Sequence, residues 1–104
     1  MTLNDIYDQL IQAAQTDYDA RIAKGISPYS MASYHFERTI LSVLNNLVDT
    51  SDWKADNWAA LLAAAPEKAP ENESGHWAVT ATVRAQHAYA TPGFFEAYRN
   101  HNGL

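Results

Sequence analysis

Residues 76–90 read HWAVTATVRAQHAYA, and the reading of this stretch decides the fold. Taken two at a time, Trp77, Val79, Ala81, Val83 and Ala85 line one side, as they would on a strand. Taken at helical spacing, Val79, Val83 and Ala90 share one side, and Trp77, Ala81, Ala85 and Ala88 share another. A strand needs a partner, because its backbone N–H and C=O groups must be paired. No other segment of the chain reads as a strand, so helix is the expected state. Strand pairing across a dimer is the one arrangement that would reverse this expectation.

Working outward, residues 66–75 read PEKAPENESG. Two prolines, a glycine and three glutamates against Lys68 mark an exposed loop. Before it, Trp58, Leu61, Leu62 and Ala65 predict a short helix over about 57–65, ended by Pro66. Ser51 and Asp56 are its candidate N-caps. After residue 90, Thr91-Pro92-Gly93 reads as a helix start, and Phe94, Phe95 and Tyr98 predict a final helix over about 92–101, closed by Asn102-Gly103.

The N-terminal half is more regular. Leu3, Ile6, Tyr7, Leu10, Ile11, Ala14, Tyr18 and Ile22 recur at spacings of three and four, giving a helix over about 3–24. Thr2 or Asn4 caps its start, and Lys24-Gly25 stops it. GISPYS follows as a short connection, with Ser27 or Ser30 as the next cap. The second helix is predicted over about 29–49. Tyr29, Phe36, Ile40, Val43 and Leu47 form one apolar stripe, and Tyr34, Leu41, Leu44 and Val48 form another beside it. An arc this wide contacts more than one neighbour, which marks this helix as the central one. The fold class expected is therefore all-α. It has four to five helices, with a long antiparallel hairpin (about 3–24 and 29–49) and shorter helices (about 57–65, 76–90 and 92–101) packed across it. A length of 104 residues suits a single helical domain over 1–104.

Composition supports an ordered core of unusual make-up. Leu, Ile, Val and Phe number only 20, yet 18 alanines, six tyrosines and three tryptophans are present. Alanine favours helix and lets helices approach closely, and aromatics supply the missing bulk. The absence of cysteine excludes disulfides, thiolate metal sites and cysteine nucleophiles. The first ten residues, MTLNDIYDQL, lack the basic and apolar regions of a signal peptide. The expected location is cytoplasmic, with no membrane contact. A net charge of −5 repels nucleic acid, so no direct nucleic-acid binding is expected.

No strong motif is present: no P-loop, GxGxxG, HExxH, EF-hand loop or GxSxG. Four glycines cannot build a glycine-rich phosphate cradle. His35, His76, His87 and His101 include no pair at i, i+4 spacing, although His35 with Glu37, His87, and His101 with Glu96 are possible ligand fragments. The expectation is no metal, no cofactor and no catalytic residue.

Three features stand out. Asp17 and Arg21 lie in the apolar arc of the first helix with Leu10 and Ala14, as an i, i+4 ion pair. An antiparallel hairpin would bring them toward Ser33–Glu37, so Asp17, Arg21, Tyr34, His35 and Glu37 form a candidate ligand-binding cluster. The competing reading is an ion-pair network that fixes helix register, and it is favoured. Second, Trp53 and Trp58 flanked by Asp52 and Asp56 form a candidate partner-binding surface; the simpler reading makes the tryptophans core anchors. Third, Asp5, Asp8, Gln12 and Asp19 form an acidic stripe, either a solvated face or a phosphate mimic.

Three functions fit these readings. The favoured one is an acidic protein-binding factor of accessory, immunity or inhibitor type, its partner another protein or a second copy of the chain. The second is a small-molecule-binding domain or small enzyme using the polar cluster between the first two helices. The third is an acidic mimic that inhibits a nuclease or another DNA-binding protein.

Overall fold

A computed structural model describes residues 1–101, the side chain of His101 excepted. Among the described residues there is no strand. Five α-helices follow in order: α1 (Leu3–Ala23), α2 (Tyr34–Leu47), α3 (Ala55–Ala63), α4 (Glu73–Ala90) and α5 (Phe94–His101). The all-helical expectation therefore holds, including for residues 76–90. The expected closure at Asn102-Gly103 lies outside the described residues.

α1 is set by its ends. Thr2 Oγ1 accepts from Asp5 N at 3.1 Å, and Asp5 Oδ2 accepts from Thr2 N at 3.1 Å. This reciprocal capping box holds the Asp5 carboxyl below its ordinary range, chiefly through the backbone bond from Thr2. At the other end Gly25 takes φ +89°. Gly25 N donates to Ile22 O, and Ile26 N donates to Arg21 O. That pair of bonds satisfies carbonyls the helix would leave open, and the left-handed residue it needs is glycine.

The predicted boundaries shift where local chemistry competes. The second helix begins at Tyr34, not near 29. Ser27 Oγ accepts from Tyr29 N and closes a separate 3-10 turn over Pro28–Ser30, and extended Met31 then breaks the path. It ends at Leu47 because Val48 is extended. Neither Ser51 nor Asp56 caps α3. Lys54 holds the N-cap position, and its N–H donates to Asn57 Oδ1 at 2.9 Å. Asp49 instead accepts from Ser51 N, which lowers its carboxyl pKa. The loop expected over 66–75 is shorter: Pro70–Asn72 form a 3-10 turn, and Glu73, Ser74 and Gly75 are the first turn of α4. The final helix starts at Phe94, not 92. Pro92 and Gly93 (φ +83°) form a turn closed by Phe94 N to Thr91 O.

α1 and α2 are antiparallel: Arg21 meets His35, and Asp17 meets Thr39. α1 also runs antiparallel to α4, since Tyr7 meets Thr80 while Gln15 meets Gly75. α4 packs on α1, α2, α3 and α5, so the hub is α4 and not the second helix. The apolar arc of α2 is largely used inside the chain. Phe36, Ile40 and Leu44 are buried, and Leu41, Val43, Leu47 and Val48 are half-buried against the core.

The tightest approach is α1 on α4 at Gly75. A Cβ placed there would lie 2.5 Å from Ile11 O and 2.8 Å from Gln15 N, so only glycine fits. Gly75 N donates to Gln15 Oε1 at 2.7 Å, which satisfies an N–H in the first turn of α4. Asn4 Nδ2 donates to Ala64 O at the end of α3. α1 thus caps two other helices as well as packing on them. The core is Ile6, Tyr7, Leu10, Ile11 and Ala14 of α1 with Phe36, Ile40 and Leu44 of α2, joined by Trp58 and Leu61 of α3 and by Ala78, Val79 and Val83 of α4. No helix among the described residues is long and apolar enough to cross a membrane.

Candidate functional site

The cluster near the hairpin divides in two. Arg21 Nη2 donates to His35 O at 3.2 Å, and its guanidinium carbon lies 5.3 Å from the centre of the Phe36 ring. Its Nε is 3.4 Å from Asp17 Oδ1, within ion-pair reach yet without hydrogen-bond geometry. Asp17 Oδ2 accepts from Thr39 Oγ1 at 3.3 Å. The pair is half-buried, and its electrostatic worth is below about 1 kcal/mol. Glu37 does not join it. Glu37 turns to α4 and accepts from Gln86 Nε2 at 3.0 Å. Tyr34 is 68% exposed and lies against the ring of His35. Four of the five expected residues therefore gather near one end of the hairpin, but Asp17 and Arg21 are already engaged in holding α1 to α2. A shallow groove passes Asp17 and Thr39 and is otherwise lined by Gln9, Gln12, Thr16 and small alanines.

The tryptophans of the second expected site face inward. Trp58 is buried, Trp53 is half-buried, and the two rings meet edge to face at 4.7 Å. Asp52 and Asp56 are exposed beside them. On α1, Asp8 accepts from Gln12 Nε2 and Asp19 from Gln15 Nε2. Together with the Asp5 cap, each carboxylate of the acidic stripe has a partner on α1 or at its N-cap.

Two features were not anticipated. The first is an open hollow of about 650 Å³ along α4. Its polar floor is a hydrogen-bonded chain. His76 Nε2 meets Pro66 O at 2.9 Å; the carbonyl only accepts, so a neutral His76 carries its proton on Nε2. Nδ1 is then free to accept from Thr80 Oγ1, 3.5 Å away, and Thr80 Oγ1 lies 2.7 Å from Tyr7 Oη. Tyr7 is fully buried. Burial raises its phenol pKa, and the Thr80 bond and the charge of Arg84 offset part of that rise. Trp77 and Ala81 form the apolar wall, with Lys68 and Arg84 as cations and Glu73 as the acid. The helical spacing of Trp77, Ala81 and Arg84 is legible in the sequence. The approach of Lys68 from a different segment is not.

The second is an aromatic surface where α4 meets α5. Tyr89 is 49% exposed, Phe95 58% and Tyr98 56%. Tyr89 stacks on Phe95 at 5.8 Å and meets Phe94 edge-on at 5.8 Å, and Phe94 stacks with Tyr98 at 6.3 Å. α5 packs on α4 and adds no described residue to the buried core. No family model matches this chain, and no match was found among curated proteins or among solved structures.

Proposed function

We propose that this chain is a protein-binding module that acts through the aromatic end of α4 and α5, and that a second copy of the chain occupies that surface. The observation that carries the reading is the half-exposure of Tyr89, Phe95 and Tyr98 in one ring-stacked group. Aromatic residues of this kind are the commonest anchors of protein contacts. Charge favours self-contact at this end. Residues 76–104 hold Arg84 and Arg99 against Glu96 alone, so the acidic excess of the chain lies elsewhere. α5 is also charge self-complementary. Two α5 helices crossing antiparallel about a two-fold axis set Glu96 of each copy against Arg99 of the other.

Light scattering behind size exclusion tests this with single and mixed variants. The parent chain is expected to be a dimer whose mass falls on dilution. Glu96→Arg alone and Arg99→Glu alone should each weaken the dimer, and mixing the two should restore it as a heterodimer. A parent chain that stays monomeric at high concentration, or a mixture that does not re-associate, overturns the proposal.

A further inference from the structure

We infer that the hollow along α4 binds a small aromatic anion, with its charged group at Arg84 and its ring on Trp77. The volume, about 650 Å³, suits a small organic ligand. Arg84 and Lys68 line it, and neither has an ion pair or hydrogen bond with another described residue. In a chain of net charge −5, two uncommitted cations on one concave surface are a local reversal of sign. A guanidinium presents a planar fork that matches a carboxylate or phosphate through two parallel hydrogen bonds.

The apolar part is placed to receive a ring. Trp77 is 45% exposed, and its indole N–H has no partner among the described residues. Ala81 follows one turn later, and Arg84 nearly one turn after that. A flat group on Trp77 therefore passes only a methyl before it reaches the guanidinium. Trp77 and Arg84 are seven residues apart, about 10 Å along the helix axis, and both side chains are long enough to close much of that distance. The hollow also has a direction. Glu73 lies eleven residues before Arg84, about 16 Å away along the axis, so an anion is favoured at the Arg84 end. A hydroxyl or amine of the ligand suits the Glu73 end, where Ser74 and His76 stand. The floor is preorganised: Pro66 O and Thr80 fix the His76 ring, and buried Tyr7 fixes Thr80. Polar groups held this way lose little freedom when a ligand arrives.

The experiment follows the three indole N–H signals by NMR, with Trp77 assigned by its loss in Trp77→Phe. Adenosine monophosphate, indole acetate and anilinonaphthalene sulfonate are titrated separately. At least one should shift the Trp77 signal to saturation while Trp53 and Trp58 stay in place. Arg84→Gln, a change at an exposed residue, should weaken that binding about tenfold or more, as loss of a charge-assisted fork implies. Adenosine, lacking the charge, should bind correspondingly less well than its monophosphate. The proposal is overturned if no probe moves Trp77, if Arg84→Gln binds like the parent, or if saturable shifts fall on the α5 aromatics instead. Arg99→Glu should bind the probes unchanged, so this site and the self-contact stand or fall separately.

Discussion

Gly75→Ala is expected to destabilise the fold, although in most helices the same change stabilises. Gly75 has helical backbone angles, and alanine gains up to about 1 kcal/mol over glycine inside a helix. Against this stands the contact with α1. The new Cβ would meet Ile11 O at 2.5 Å and Gln15 N at 2.8 Å, both backbone atoms that no rotamer change can move aside. Carbon and carbonyl oxygen need about 3.3 Å, so the helices must part by roughly 0.8 Å. A gap of that size forfeits about a quarter to a half of the dispersion energy between facing atoms. It would open the packing of Ile11 and Ala14 on Ala78 and Val79, and stretch the 2.7 Å bond from Gly75 N to Gln15. Overpacking of this kind costs about 1–3 kcal/mol, and the weakened hydrogen bond adds up to about 1 kcal/mol. After the gain in helix propensity, a net loss of about 1–3 kcal/mol remains. For a chain of this length that lowers Tm by about 4–8 °C per kcal/mol. Urea and thermal melts read by circular dichroism measure it. Gln15→Ala should not rescue the variant, because the clash involves the Gln15 backbone and Cβ, which alanine retains. A Gly75→Ala chain as stable as its parent refutes the close-approach argument.

Two further outcomes follow from buried hydroxyls. Thr82 is 3% exposed and its Oγ1 has no partner among the described residues, so Thr82→Val, nearly equal in volume, should raise stability by about 1 kcal/mol in the same urea melts. An unchanged or lowered midpoint would show that the hydroxyl is satisfied after all. Tyr7 makes the fold sensitive to alkali. Its folded pKa lies above the usual value of about 10, so its contribution is complete below that pH and is lost as pH rises through the folded value. Phenolate absorbance should therefore show a late step coincident with alkaline unfolding, and that step should vanish in Tyr7→Phe.

The elements were legible where the signal is local. Thr2 and Lys24-Gly25 bracket α1 because caps and stops act within a few residues. The strand reading of 76–90 fails on which residues are buried: Ala78 and Thr82 would face away from Val79 and Val83 on a strand, yet all four are buried together, as a helix allows, while Trp77 is 45% exposed. Where two local choices compete, the sequence does not rank them. Ser27 caps a 3-10 turn instead of the second helix, and only the extended backbone at Met31 shows which choice wins.

The hub and the sites depend on something that periodicity does not record. A wide apolar arc marked α2 as central, yet α4 is the helix that all the others touch. What decides how many helices can gather round one is side-chain size as well as hydrophobicity. Beside Val79 and Val83, α4 presents Gly75, Ala78 and Thr82 to the interior, and small residues let backbones approach from several sides. α2 presents Phe36, Ile40 and Leu44, which fill space and keep neighbours apart. The same logic explains Glu37. His35 and Thr39 are one turn apart and meet α1, whereas Glu37, two residues from each, projects toward the opposite side and meets Gln86 of α4. Because α4 stands where a two-helix hairpin would leave solvent, the polar cluster expected between α1 and α2 is split, and its arginine becomes a clamp. The uncommitted cations are found instead at the hollow along α4, Arg84 on the exposed side of that helix and Lys68 from the segment before it, away from the side used up by α1, α2 and α3.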